Sequence, residues 1–197
     1  MKKIFFIIVS ILIDFYRYKN VLERNMMESK SKTRMFIGYW IPVILIASII
    51  FYSSATPYEK QDIRPELSHL TFLYDVMKHF TFVHFNYAGH EVSIKELGVA
   101  GFTEFLIRKL SHFSIYLLLA FFATRLAKLY VKKAFLLGVI FSILYAASDE
   151  FHQSFTANRT PLVHDVVIDS IGAIVGACLF LIINKKLKAK VQKSIRV

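Results

Sequence analysis

Residues 36–54 read FIGYWIPVILIASIIFYSS, a run of 19 residues without a charged side chain. At ~1.5 Å per residue, a helix of this length spans ~28 Å, about the hydrocarbon thickness of a bilayer. Tyr39 and Trp40 are typical of a membrane–water interface, and Pro42 lies in the first turn, where its missing N–H costs no helical hydrogen bond. The segment therefore predicts a membrane-spanning helix.

Three further apolar segments follow, and together they predict an all-α integral membrane protein with four transmembrane helices. We expect the later helices over residues 110–127, 134–151 and 161–184, the last with Thr160 as N-cap and Pro161 at its first position. Of the 197 residues, 55% are apolar and only 20% are charged, which is unusual for a soluble domain. This composition excludes a disordered chain, a coiled coil and a collagen-like repeat.

The basic residues are distributed unevenly over the connecting segments. Residues 1–35, 125–133 and 184–197 together hold 18 basic and 3 acidic residues, whereas residues 55–109 and 148–165 hold 7 basic and 10 acidic ones. The positive-inside rule then predicts a multi-pass protein of the cell membrane with both termini in the cytoplasm. Because the basic residues lie at the ends of apolar runs, we do not expect nucleic-acid binding.

The chain is predicted to consist of a membrane domain between two cytoplasmic segments. Residues 1–35 are expected to form a cytoplasmic extension, in which the apolar residues 4–13 are too short to span a bilayer. These ten residues are either an interfacial helix or precede the true start of the protein. Residues 36–184 form the membrane domain, and residues 185–197 form a basic cytoplasmic tail that contacts anionic lipid.

The segment between the first two helices is predicted to be extracytoplasmic. Residues 67–77 have a mixed apolar pattern that indicates an amphipathic helix lying on the membrane. Residues 80–87 alternate between apolar and polar side chains, and Gly89 then supplies a turn before residues 92–94. This pattern predicts a small hairpin.

Ionisable side chains inside a membrane cost at least ~2.5–3.5 kcal/mol on insertion scales and therefore indicate a partner or a function. They form three groups: Lys109, His112 and Tyr116; Asp149, Glu150, His152 and Gln153; and Arg159, Asp165 and Asp169. The predicted threading brings all three groups to the outer leaflet boundary, so we expect them to line one cavity. Gly172 and Gly176 continue the stripe of Asp165 and Asp169, which allows another helix to approach that face closely.

The residues around these groups resemble the VanZ family of membrane proteins. The resemblance rests on RKLSHFSIY at 108–116, on SDEFHQSF at 148–155, on residues 159–172 and on residues 52–62 after the first helix. It covers about residues 36–180, although TAN precedes Arg159 where many relatives have a Pro-Gly turn. The founding member of that family is linked to teicoplanin resistance. The resemblance therefore implies a bacterial membrane protein that acts in glycopeptide resistance or, more generally, in the cell envelope.

The first of three functional hypotheses is a membrane-embedded enzyme that acts on an amphiphilic envelope molecule, such as a lipid-linked precursor or a phospholipid. Its catalytic residues would be His112, Asp149, Glu150, His152 and Asp169, and its substrate-binding residues Lys109, Tyr116, Gln153, Arg159 and Asp165. A histidine would act as general base or nucleophile, and the cations would hold a phosphate or carboxylate. A metal-dependent version would use Glu150, His152 and Asp165 as ligands of a divalent cation. The sequence identifies no cofactor.

The second hypothesis is a non-catalytic protein in which Lys109 and Arg159 capture the anionic head group of a lipid or lipoglycopeptide. The third is a membrane scaffold held together by a network of salt bridges. Loss of function in His152→Ala or Asp149→Asn, with normal protein levels, would favour the enzyme. A dominant effect of the two cations would favour the binding protein.

Overall fold

The computed structural model describes residues 35–195, except for the side chains of residues 193 and 195. Within this range, four helices are long and apolar enough to cross a membrane, which confirms the predicted helical, multi-pass membrane protein. The expectations for residues 1–34, including the apolar segment 4–13, lie outside the described residues. A compact unit begins at Tyr39 and contains the helix bundle.

The first span, Phe36–Ser54, has the predicted bounds and consists of a π-helical turn (Phe36–Trp40) followed by helix α1 (Ile41–Ser54). Pro42 lies in the first turn of α1, as predicted. Two short helices follow, α2 (Arg64–Ser68) and α3 (Thr71–Met77). They replace the single amphipathic helix predicted over residues 67–77, because the backbone at Leu70 is not helical.

A two-stranded antiparallel hairpin precedes the second span. Strand β1 (His84–Tyr87) pairs with β2 (His90–Ser93), and the two residues between them both have positive φ, as a tight hairpin turn requires. Glycine occupies the second of these positions and adopts this conformation without steric cost. The first strand begins later than predicted, because Lys78–Phe80 forms a 3₁₀ turn.

The second span, α4 (Ile94–Ala127), is much longer than the predicted helix over residues 110–127. It begins where the Ser93 hydroxyl accepts a hydrogen bond from the Glu96 amide at 3.2 Å, and it kinks at Gly98, whose φ is 66°. The prediction stopped short because the first turns carry charged side chains. Two of these, Glu104 and Arg108, form an ion pair one helical turn apart at 3.6 Å.

The last two spans are α5 (Ala134–Gln153) and α6 (Val163–Ile195). Helix α5 ends two residues beyond the predicted boundary. Helix α6 begins two residues after the predicted start at Pro161. It extends to Ile195 and therefore includes most of the basic residues of the predicted cytoplasmic tail. The N-cap predicted at Thr160 is therefore wrong.

Helices α4 and α6 make the most extensive helix–helix contact of the described chain. A Cβ atom at Gly172 or Gly176 would collide with the backbone carbonyl oxygens of Phe113 and Leu117, respectively. Only glycine permits this approach, so the face of α6 that carries Asp169 packs directly against α4. The close contact therefore fixes the position of Asp169 relative to α4.

Candidate functional site

The polar groups of separate helices meet at one end of the bundle. The ends of α1 and α5 are joined by a hydrogen bond from Ser54 Oγ to Asp149 Oδ1 at 2.5 Å. Helix α4 meets α6 where His112 Nδ1 lies 3.5 Å from Asp169 Oδ1. Both aspartates are buried, and Asp169 has no exposed surface. The structure thus brings side chains from all three predicted groups together.

Lys109 is neutralised by a buried ion pair with Asp165. Its Nζ contacts Asp165 Oδ1, and the Tyr87 hydroxyl of the hairpin donates to the same oxygen at 2.6 Å. The ammonium also lies 4.5 Å from the centroid of the Tyr87 ring, which adds a cation–π contact. Burial and the hydrogen bond to Asp165 raise the pKa of Tyr87, so its phenol remains a proton donor.

Asp149 and Glu150 are held by neutral donors. Gln153 Nε2 donates to Asp149 Oδ2 at 3.2 Å and to Glu150 Oε1 at 3.1 Å. The Leu162 amide donates to Glu150 Oε2 at 2.8 Å. In the described range, neither carboxylate has a hydrogen bond from a cationic side chain. The pair therefore concentrates negative charge in a buried region.

Arg159 has hydrogen-bond partners that carry no charge. Its guanidinium donates to the carbonyl oxygens of Ser53 (3.2 Å) and Thr56 (3.4 Å) and to Gln61 Oε1 (2.7 Å). Burial, followed by repulsion from Arg108, lowers the pKa of Arg159. An arginine side chain nevertheless keeps its charge in a protein. The site thus contains a partly desolvated cation.

Three cavities of about 240, 300 and 260 Å³ surround these groups, and His112 and Arg159 line all three. The first also contains Asp149 and the fully buried Tyr116. The second extends toward Arg108, and the third toward the Lys109–Asp165 pair. The imidazole and the guanidinium therefore form the common wall of a polar pocket.

The model of the VanZ/LLP1 family matches residues 39–184. The chain belongs to this family. The match confirms the resemblance to VanZ and contains every site residue described above. No curated protein and no solved structure shows significant similarity to the chain.

One of the two candidate imidazoles of this VanZ/LLP1 protein lies apart from the pocket. The His152 ring stacks on Phe51, with a centroid distance of 4.4 Å and an interplanar angle of 7°, and it lines none of the three cavities. The imidazole of the pocket is therefore that of His112.

The metal ligands suggested by the sequence are also not brought together. In the described range, the donor atoms of His112, Glu150 and Asp169 lie within 4.8 Å of one another, whereas the expected set combined Glu150 with His152 and Asp165. Asp165 is already engaged by Lys109 and Tyr87. The sequence does not define side-chain direction at the helix ends, and this direction decides which donors lie together.

Several VanZ/LLP1 site residues escaped the sequence analysis. Ser54 supports Asp149, Tyr87 supports the Lys109–Asp165 pair, and Gln61 supports Arg159. Ser54 and Gln61 lie in the segment after the first helix that contributed to the family resemblance, and this was the available signal. Tyr87 gave none, because its partner is 78 positions away.

The loop before Arg159 forms its turn without the Pro-Gly pair that many relatives have at this position. Asn158 adopts a left-handed conformation with φ 56°, which asparagine tolerates better than most residues. Its amide also contacts the Glu59 carboxylate after α1. The loop is thus tied to the segment that binds the Arg159 guanidinium.

Proposed function

We propose that this VanZ/LLP1 protein binds the anionic head group of an amphiphilic envelope molecule in the pocket between Arg159 and His112. The observation that carries the proposal is which of the cations around the pocket are paired with carboxylates. Lys109 pairs with Asp165, and Arg108 pairs with Glu104. Arg159 alone among these three has neutral partners, which leaves its charge available to a ligand.

A guanidinium suits this task because it keeps its charge and has five N–H donors. Nε and Nη2 of Arg159 donate to Thr56, Ser53 and Gln61, so the two N–H groups of Nη1 remain for a phosphate or carboxylate. The partial burial of Arg159 strengthens such contacts, because water screens them less. Lys109, a second candidate from the sequence, is assigned a structural role, since binding a ligand would break its contact with a buried carboxylate.

The apolar wall of the pocket supports an amphiphilic ligand. Ile49, Ile50 and Ile115 line the same cavity as Arg159, and Ile49 is about half exposed. A head group at the guanidinium would therefore extend its apolar part along the lipid-facing surface. A lipid-linked precursor, a phospholipid and a lipid-tailed glycopeptide share this chemistry.

The acidic part of the pocket supports an action on the ligand beyond capture. His112 and Asp149 line the first cavity, and the buried Glu150 and Asp169 each place a donor atom within 4.8 Å of one of His112. Proton transfer and metal coordination are the two chemistries available to such a group of side chains. With His152 outside the pocket, we assign the catalytic role of an imidazole to His112.

The distribution of basic residues supports a pocket that opens away from the cytoplasm, with both termini inside. A cysteine at Asp75, whose side chain is 77% exposed, would test this orientation in a Cys178→Ser background. We expect a membrane-impermeant maleimide to label Asp75→Cys, but not Lys132→Cys, in intact cells. The reverse pattern would contradict the orientation.

A binding measurement tests the head-group site. Purified protein in detergent is incubated with phosphatidylglycerol or phosphatidylcholine, and the bound lipid is quantified by native mass spectrometry. We expect Arg159→Gln to lose preferential phosphatidylglycerol binding by at least about tenfold, since a charge-assisted hydrogen bond contributes about 1.5–3 kcal/mol. Arg64→Gln is the matched control, because Arg64 already pairs with Asp62 at 2.7 Å. Equal binding by the two variants would contradict the proposal.

The same pocket supports a role in teicoplanin resistance, because an acylated glycopeptide combines an anionic group with an apolar tail. We expect a deletion strain to become more susceptible to teicoplanin than to vancomycin. Restoration by the wild-type gene, but not by Arg159→Gln, would connect the phenotype to the pocket. A response to neither antibiotic would restrict the protein to a general envelope role.

A further inference from the structure

His112, Glu150 and Asp169 come from three different helices, α4, α5 and α6, and converge on one small volume. One donor atom of each residue lies within 4.8 Å of the donor atoms of the other two. This spacing approaches that of ligands around a single divalent ion, where metal–ligand bonds are about 2.0–2.2 Å long.

Asp169 supplies an independent sign of a missing partner. Its side chain is completely buried, and neither carboxylate oxygen accepts a hydrogen bond within the described chain. Its closest ionic neighbour, His112 Nδ1 at 3.5 Å, is also buried without a hydrogen-bond partner. Because burying an unsatisfied carboxylate is strongly unfavourable, both groups point to a cation between them.

The charge of the surroundings leads to the same conclusion. Asp149 and Glu150 are buried beside Asp169 and receive hydrogen bonds from neutral donors only. Lys109 is engaged by Asp165, and Arg159 is bound to neutral oxygens. A divalent cation would compensate the two carboxylates of the group, with a neutral imidazole as the third ligand.

Glu150 is held in the orientation that a metal ligand needs. Gln153 donates to one of its oxygens and the Leu162 amide to the other, and each oxygen keeps a lone pair for a metal. Hydrogen bonds of this kind orient ligating carboxylates in metalloproteins. Leu162 also connects the ligand on α5 to the start of α6.

We propose that His112, Glu150 and Asp169 bind one divalent transition-metal ion. An imidazole combined with two carboxylates suits Zn²⁺ or Mn²⁺ better than Mg²⁺ or Ca²⁺, which prefer oxygen ligands alone. The inference rests on the proposed function and deepens it, because the ion would bind to His112, which lines the same pocket. Its ligands do not include Arg159, so the two proposals can fail separately.

The test uses the full-length protein in detergent, stripped with EDTA and titrated with Mn²⁺ or Zn²⁺ alone by calorimetry. We expect one ion per chain, and at least about 100-fold weaker binding in His112→Gln, Glu150→Gln and Asp169→Asn, because removing even an outer partner of a ligand costs about 10- to 100-fold. His152→Gln is the matched control, and we expect it to remain within about tenfold of the wild type.

A second measurement covers the case in which the variants fail to fold. Pulsed electron paramagnetic resonance of Mn²⁺ bound to the wild-type chain is expected to show coupling to one imidazole nitrogen, retained in His152→Gln. Absence of saturable binding, absence of nitrogen coupling, or equal binding by the three ligand variants would overturn the metal site. In that case His112 and Asp169 form an ion pair.

The two proposals are separated by measuring both ligands on the same samples. Loss of metal binding with Arg159-dependent capture of phosphatidylglycerol intact would overturn the metal site alone. Normal metal binding without Arg159-dependent capture would overturn the head-group site alone.

Discussion

Breaking the Lys109–Asp165 pair is expected to destabilise the helix bundle strongly. The side chains of the two residues are only 12% and 10% exposed, so removing either partner leaves the other charge buried. Such a loss typically costs about 3–5 kcal/mol. Asp165→Asn also weakens the hydrogen bond from Tyr87, which contributes about 1 kcal/mol. We therefore expect Asp165→Asn to be at least as damaging as Lys109→Met.

The double variant Lys109→Met/Asp165→Asn isolates the pair, because neither charge remains to be compensated. We expect it to be about 2–3 kcal/mol more stable than the sum of the single effects predicts. Equilibrium unfolding in mixed micelles, followed by circular dichroism, measures all four proteins. The exposed pair of Lys78 and Asp75 is the control, with an expected coupling below about 1 kcal/mol. Additivity within about 0.5 kcal/mol at the buried pair would refute its structural role.

Three further predictions concern packing, pH and the support of the acidic cluster. Gly176→Ala is expected to lower the free energy of unfolding by about 1–3 kcal/mol, since the new Cβ meets the backbone of α4. Gly101→Ala is the control in the same unfolding assay. Its Cβ meets only the side chain of Leu97, so we expect this variant to be neutral or stabilising. Because folding raises the pKa of Tyr87, the contribution of its neutral phenol to stability is complete below pH ~10 and declines as the pH rises further. Between pH 8 and pH 11, Tyr87→Phe should therefore lose less free energy of unfolding than the wild type. Equal losses in the two proteins would contradict the cause given for the pKa shift. Ser54→Ala is expected to cost about 1–3 kcal/mol of thermal stability, because it removes a donor from a buried carboxylate, and an unchanged melting temperature would argue against this contact.

The membrane spans could be predicted from hydropathy because each apolar run is about as long as a bilayer is thick. The boundaries of α4 and α6 were less accessible. Both helices continue into charged sequence, at residues 94–109 and 185–195, where hydropathy no longer marks the helix. Local capping by Ser93 and the ion pair of Glu104 with Arg108 stabilise the extension of α4 instead.

The meeting of the polar groups followed from the alternating direction of consecutive spans. This argument fixes the level of a side chain along the helix but not its direction around it. His112 and Asp169 face each other, whereas His152, at a similar level, turns toward Phe51. The sequence therefore could not decide which of the two imidazoles faces the cavities.

The supporting contacts were beyond the sequence for a different reason. Ser54 and Asp149 are 95 positions apart, and Tyr87 and Asp165 are 78 apart. Nothing local to either residue identifies its partner, since such contacts arise only from the packing of whole helices. The same holds for the charge balance of Arg159, on which the proposed function depends.

The central claim is that Arg159 and His112 hold an anionic head group between them. Photo-cross-linking tests this contact directly. Phosphatidylglycerol with a photoreactive diazirine on its head group is cross-linked to the protein in vesicles, and the modified residues are identified by mass spectrometry. We expect the modified residues to include Ser53 and Ser111, which line the first two cavities beside Arg159 and His112, and we expect Arg159→Gln to abolish their modification. Cross-links confined to the lipid-facing surfaces of the helices, unchanged in Arg159→Gln, would contradict it.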